Sequence, residues 1–180
     1  MCKPNINELE VYGFIKWGKW EFDNQKNKII YVSLDGTQLA TVQDVIYAFA
    51  NNEFVAYIGI TTNYLATYQY FDYDGLNTIN GRMDGHRTKV NSAETNFAND
   101  CGSGLYPNLY RHIKSGNGMT ILYYKPITIK YDDLEIDMLR GLEFPLQRKF
   151  QAEWIIQGPN PTKRARESYA KKILTEIGVS

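Results

Sequence analysis

The stretch that most restricts how this chain can fold is VIYAFANNEFVAYIGI, residues 45–60. Two short runs of apolar, aromatic and β-branched residues, 45–50 and 54–60, flank the polar break Asn51-Asn52-Glu53. Residues of this kind favour a pleated, half-buried surface, and a short polar turn between two such runs signals an antiparallel hairpin. Tyr47 and Tyr57, ten residues apart, fall one on each arm. A tyrosine in a strand is more often packing than chemistry, so the company it keeps has to decide its role.

The rest of the chain supplies strands and helices in mixture. VYGFIKWGKWEF (11–22) and KIIYVSL (28–34) read as strands around a DNQKN turn, and MTILYYKPITIKY (119–131) reads as another, interrupted at Pro126. GRMDGHRTKV (81–90) and LYPNLYRHIKSGNG (105–118) read as helices. A longer helix is expected over 132–156, with Pro145 tolerable only in a first turn. Ala165, Tyr169, Ile173 and Ile177 recur every four residues in a closing basic helix, 158–180. Residues 62–80 are tyrosine-rich and hold no basic side chain, which suits a loop, a short helix with a loop, or an insertion. The expected fold class is α+β, a small, mainly antiparallel sheet flanked by helices. It forms a single domain over 1–180, with an N-terminal β extension (1–44), a core (45–157) and the closing helix.

Composition narrows the function classes. Hydrophobic residues at 43% and charged residues at 22% are enough for a packed core and exclude wholesale disorder. Two cysteines, with no Cys-x-x-Cys spacing, give neither a disulfide framework nor a zinc site. With no apolar run of membrane length and no signal-like N-terminus, the chain reads as cytoplasmic. The net charge of zero conceals a gradient. Residues 1–75 carry five basic against nine acidic side chains, and residues 76–130 carry seven against three. A basic middle region permits phosphate contact on one face, and a solvated helix face would look the same.

The order of the polar residues is more informative than any one of them. After the two strand tyrosines come Arg82 with His86 four residues on, and then Glu143 in the apolar run LEFPL. VIY (45–47) and YIG (57–59) resemble the two halves of the signature that names the GIY-YIG nucleases. RMDGHRT (82–88) and LEFPL (142–146) resemble the arginine helix and the metal-glutamate segment of the family's small stand-alone members, type II restriction enzymes and a T-even phage endonuclease. YGFIK (12–16) is similar to the N-terminal strand of the phage enzyme. Val45 stands where the family has its first glycine, and Ile60 where a polar residue often follows YIG. Arg82 comes 25 residues after Tyr57, a longer gap than usual, which makes 62–80 an insertion. The family's late asparagine has no aligned partner, Asn160 being displaced.

The resemblance implies a metal-dependent endodeoxyribonuclease of restriction type, acting on double-stranded DNA as a homodimer. Glu143 would hold Mg²⁺ or Mn²⁺, hard cations that accept one carboxylate with water and phosphate oxygens. Arg82 would stabilise charge on the phosphate, and His86, one helical turn on, would bond the phosphate or the nucleophile. Tyr47 would act as the base or water-positioning group and Tyr57 would bind the scissile phosphate. A phenol is a poor base at neutral pH unless cations stabilise its anion, and Arg82 and Lys16 are the candidates. Arg87, Lys89, Arg111, Lys114, Lys163 and Arg164 are the expected DNA contacts, and Tyr64, Tyr68, Tyr70 and Tyr73 offer faces for stacking on bases. The rival reading is a non-catalytic, tyrosine-rich module that binds nucleic acid or protein. Convergence of Tyr47, Tyr57, Arg82 and Glu143 on one cleft separates the two.

Overall fold

The computed structural model of the chain describes residues 3–34, 42–61, 78–92, 105–136 and 138–154. Its first element is a helix. Asn5 caps α1 (Ile6–Val11), accepting from the Asn7 amide while Glu8 reaches back to the Asn5 amide. The strand expected from residue 11 therefore begins later, as β1 (Ile15–Asp23). The Asp23 carboxylate accepts from the amides of Gln25 and Lys26, and this turn returns the chain along β2 (Lys28–Val32).

The 45–60 hairpin forms as expected, from β3 (Ile46–Ala50) and β4 (Val55–Ile60). Asn51 builds its turn, with Oδ1 accepting from the amides of Glu53 and Phe54. At its open end Thr61 clamps Val45, which donates to Oγ1 at 3.0 Å and accepts from the Thr61 amide at 3.0 Å. Two helices follow, α2 (Ile79–Asn91), capped by Thr78, and α3 (Leu105–Lys114). β5 (Met119–Tyr124) then enters the middle of the sheet. The strand order is β2-β1-β5-β3-β4 with every pairing antiparallel, so the fold is the expected α+β.

Two expectations fail after β5. The strand expected over 119–131 stops before Pro126 and resumes as β6 (Ile129–Tyr131), which pairs with β7 (Leu134–Ile136) in a separate hairpin. Asp132 turns that hairpin at φ 58°, a left-handed conformation that aspartate tolerates. The long helix therefore starts only at Met138, as α4 (Met138–Lys149). Pro145 sits inside it, beyond any first turn. Leu139, Leu146 and Phe150 bury against the sheet, and this packing outweighs the hydrogen bond that Pro145 cannot donate.

The sheet is covered on both faces. On one, α2 and α3 pack on Trp17, Trp20, Tyr47, Phe49 and Ile121. On the other, α1 and α4 pack on Ile46, Ala48, Ile58 and Leu122. Both outer strands are blunted against further pairing. Asn91 accepts from the Ile29 amide and donates to its carbonyl on β2. Along β4, Gln147 of α4 donates to Ile58 O, and the amides of Glu153 and Trp154 donate to Val55 O and Ala56 O. That last set ties α4 to the β4 edge. The stretch 62–77 and the segment 158–180, where a closing helix is expected, lie outside the described residues, and so do Tyr64, Tyr68, Tyr70, Tyr73, Asn160, Lys163 and Arg164.

Candidate active site

The hairpin register fixes the first part of the site. Tyr47 lies opposite Gly59, and Tyr57 lies opposite Phe49, which puts both tyrosines on the α2 face as diagonal neighbours. Their ring centroids are 6.0 Å apart. Gly59 makes this possible. A Cβ there would come within 2.7 Å of the Tyr47 hydroxyl and 2.7 Å of the Tyr57 ring, closer than any real methyl group sits. The glycine of YIG is thus the space that the two phenols occupy.

Helix α2 brings in the next two groups. Ile79, Met83, His86 and Val90 form its buried stripe, so His86 enters the protein at a position that spacing would assign to an apolar residue. Its Nε2 lies 2.6 Å from the Tyr47 hydroxyl and its Nδ1 lies 3.2 Å from the Tyr106 hydroxyl on α3. Burial, reinforced by the charges of Arg82 and Lys89, pushes the His86 pKa down to about 3, so the ring is neutral at ordinary pH. Arg82, one turn earlier, lies beside Tyr47, and the phenol's electrostatic pull raises the guanidinium's own pKa. Its buried Nε has no acceptor among the described residues.

Glu143 arrives from the other side of the sheet. Gln147, one turn later on α4, anchors that helix to the Ile58 carbonyl on the β4 edge, and Glu143 is close enough for its charge to disfavour both phenolates. Burial raises the Glu143 pKa and the charge of Arg82 lowers it in part. Burial likewise raises Tyr47, against the favourable charge and hydrogen bonding of Arg82, and raises Tyr57 further. In the resting site the two phenols and the imidazole are neutral. Arg82 is the cation.

Tyr47, Tyr57, Arg82, His86 and Glu143 therefore come together. Lys16 does not. Its partner across the sheet is Leu122, next to Ala48, so it stands on the α1 face and pairs with Glu10 at 2.9 Å. The register on β1, with a bulge between Lys16 and Gly18, points it away from the tyrosines. The expected DNA contacts are spread over two helices. Arg87 is engaged internally, paired with Asp84 at 3.0 Å and stacked over Tyr31. Lys89 lies over the Tyr106 ring, Lys114 lies over Phe22 and Tyr110, and Arg111 stands exposed on the last turn of α3. Sequence reasoning missed Tyr106 and Gln147. Neither carries a local signal, since each matters only through where its helix docks.

A divalent cation fits this donor set. Among the described residues no three His, Cys, Asp or Glu side chains gather, and Glu143 makes no ion pair. A single partly buried carboxylate, disfavoured as an anion by its surroundings, would gain from a cation that keeps water or phosphate oxygens as its other ligands.

The antiparallel sheet with helices on both faces defines an α+β domain, with the Tyr-His-Arg-Glu cluster against its β4 edge. The fold is similar to that of a mutant of bacteriophage T4 EndoII, at a TM-score of 0.56 and 17% identity over 84% of this chain and 98% of that one. The chain also matches restriction endonuclease HPY188I in complex with product DNA, at a TM-score of 0.46 and 12% identity over 97% of this chain and 82% of that one. The first likeness establishes the fold; at these identities neither carries residue roles across. No family model matches the chain, and no curated protein matches its sequence. No helix among the described residues is long and apolar enough to cross a membrane.

Proposed function

We propose that the chain is a metal-dependent endonuclease of the GIY-YIG type that hydrolyses phosphodiester bonds in double-stranded DNA. The observation that carries this reading is the meeting of Tyr47, Tyr57, Arg82, His86 and Glu143 from two strands and two helices against one sheet edge. A binding module has no need of a neutral imidazole 2.6 Å from a buried phenol beside an arginine and a carboxylate that makes no ion pair among the described residues.

In this reading Arg82, whose buried Nε–H has no acceptor among the described residues, receives the scissile phosphate, and the Tyr57 hydroxyl bonds a phosphate oxygen. Tyr47 orients the attacking water. As the water oxygen bonds phosphorus and the P–O bond to the leaving sugar breaks, the water proton passes to the Tyr47 oxygen. The Tyr47 proton passes to His86 Nε2, and solvent carries it from there to the leaving oxygen. The relay waits for substrate. Burial opposes phenolate and imidazolium alike, and an anionic phosphate against Arg82 cancels part of the charge that keeps His86 unprotonated. A divalent ion held by Glu143 would stabilise charge on the phosphate and the leaving oxygen.

Sequence-specific, restriction-type cutting by a homodimer across a palindromic site is the form of this activity we infer. Digestion of unmodified genomic DNA with Mg²⁺ tests it. Discrete fragments from the parent and none from Glu143→Ala are expected. A smear would remove the specificity, and intact DNA with every divalent metal would remove the enzyme.

A further inference from the structure

Resting on that reading of the site, we propose that Tyr106 is a positioning residue that fixes the tautomer of His86. A neutral imidazole has one N–H and one lone pair, and here each ring nitrogen faces a phenol, Nε2 at 2.6 Å from Tyr47 and Nδ1 at 3.2 Å from Tyr106. Two arrangements satisfy the pair. In one, Nδ1–H donates to the Tyr106 oxygen and the Tyr47 O–H donates to Nε2. In the other, Nε2–H donates to Tyr47 and Nδ1 accepts from Tyr106. Only the first leaves Tyr47 a nitrogen to which its proton can go.

The surroundings select the first. Arg82 can only donate, and its charge and hydrogen bonding act on the Tyr47 hydroxyl together with those of Tyr57, whose ring lies 6.0 Å away between centroids. The Tyr47 oxygen is thereby supplied with donors, so its own O–H turns to Nε2. Tyr106 completes the arrangement by taking the Nδ1 proton. Its ring stays close to the imidazole, at 5.7 Å between centroids, and Lys89 sits over its face at 5.5 Å. With Tyr106→Phe the ring remains and the acceptor is lost. A buried N–H left bare costs more than a bare lone pair, so the imidazole exchanges tautomers and turns Nε2–H toward Tyr47.

The chain has two histidines, His86 and His112, so ¹⁵N-histidine labelling with His112→Gln for assignment reads the His86 tautomer directly. The parent is expected to carry the proton on Nδ1. Tyr106→Phe is expected to move it to Nε2 and to lower kcat roughly 10- to 100-fold with little change in KM or melting temperature. Three results overturn the proposal: Nε2–H in the parent, an unchanged tautomer in Tyr106→Phe, or a shifted tautomer with undiminished kcat. The spectrum is recorded without DNA, and the parent spectrum needs no variant to fold. A parent that cuts nothing would remove the nuclease reading while the tautomer measurements still judged the role of Tyr106.

Discussion

A methyl group at Gly59 is the smallest change with the largest expected effect. Gly59→Ala places a carbon 2.7 Å from both tyrosines, so one phenol must leave its position. We expect a stability loss of about 1–3 kcal/mol by chemical denaturation, together with loss of cleavage, because the cost falls on the residues that act. His86 sets a second test. An unfolded histidine takes a proton near pH 6.5, and the folded site refuses one until about pH 3. This contribution is therefore intact above pH 6.5 and is lost as pH falls toward 3, at about 1.4 kcal/mol per pH unit. Denaturation of parent and His86→Gln across that window should show the steeper fall in the parent; parallel curves would mean that His86 protonates freely in the fold. At this scale the sequence was partly legible. Tyr47 and Tyr57 stood out through their hairpin, and Arg82 and His86 through their spacing on one helix. Lys16 was misplaced because only the pairing register tells which face of β1 it occupies. Tyr106 had no signal at all.

Helices and strands explain how distant parts of the chain meet. Gln147→Ala removes the donor to Ile58 O and loosens the helix that carries Glu143. A loss of about 1–2 kcal/mol is expected, with activity falling further than that alone would account for. Asp23→Ala removes the acceptor that closes the β1–β2 turn, on the strands furthest from β4 in the sheet order, and should cost similar stability while kcat stays near the parent value. Equal effects of the two variants on kcat would argue against α4 as the positioning element. The Asn5 and Glu8 pair is a capping box carried by the sequence itself, and it starts a helix where the apolar run from residue 11 suggests only a strand. The run 132–137 reads as helix because its apolar spacing fits either period, and the Asp132-Asp133 turn makes a hairpin of its described part. Pro145 broke a local rule inside α4 that packing overrode.

For the molecule as a whole, the two covered faces of the sheet explain why the site lies where it does. Tyr47, Tyr57, Arg82 and His86 belong to one layer and Glu143 to the other, and the edge of β4 is where the layers meet. In the proposed function, this junction hydrolyses DNA as one unit. Single-turnover cleavage of a supercoiled plasmid in Mg²⁺ tests it most directly, comparing the parent, Glu143→Ala, Tyr47→Phe, His86→Gln and the Tyr47→Phe/His86→Gln double variant. We predict cleavage by the parent that EDTA abolishes, none by Glu143→Ala, and losses of about a hundredfold or more for each single variant. The double variant should lose no more than its worse parent, as expected for groups that pass one proton. Intact plasmid with the parent, undiminished cutting by Glu143→Ala, or additive losses in the double variant would contradict the account.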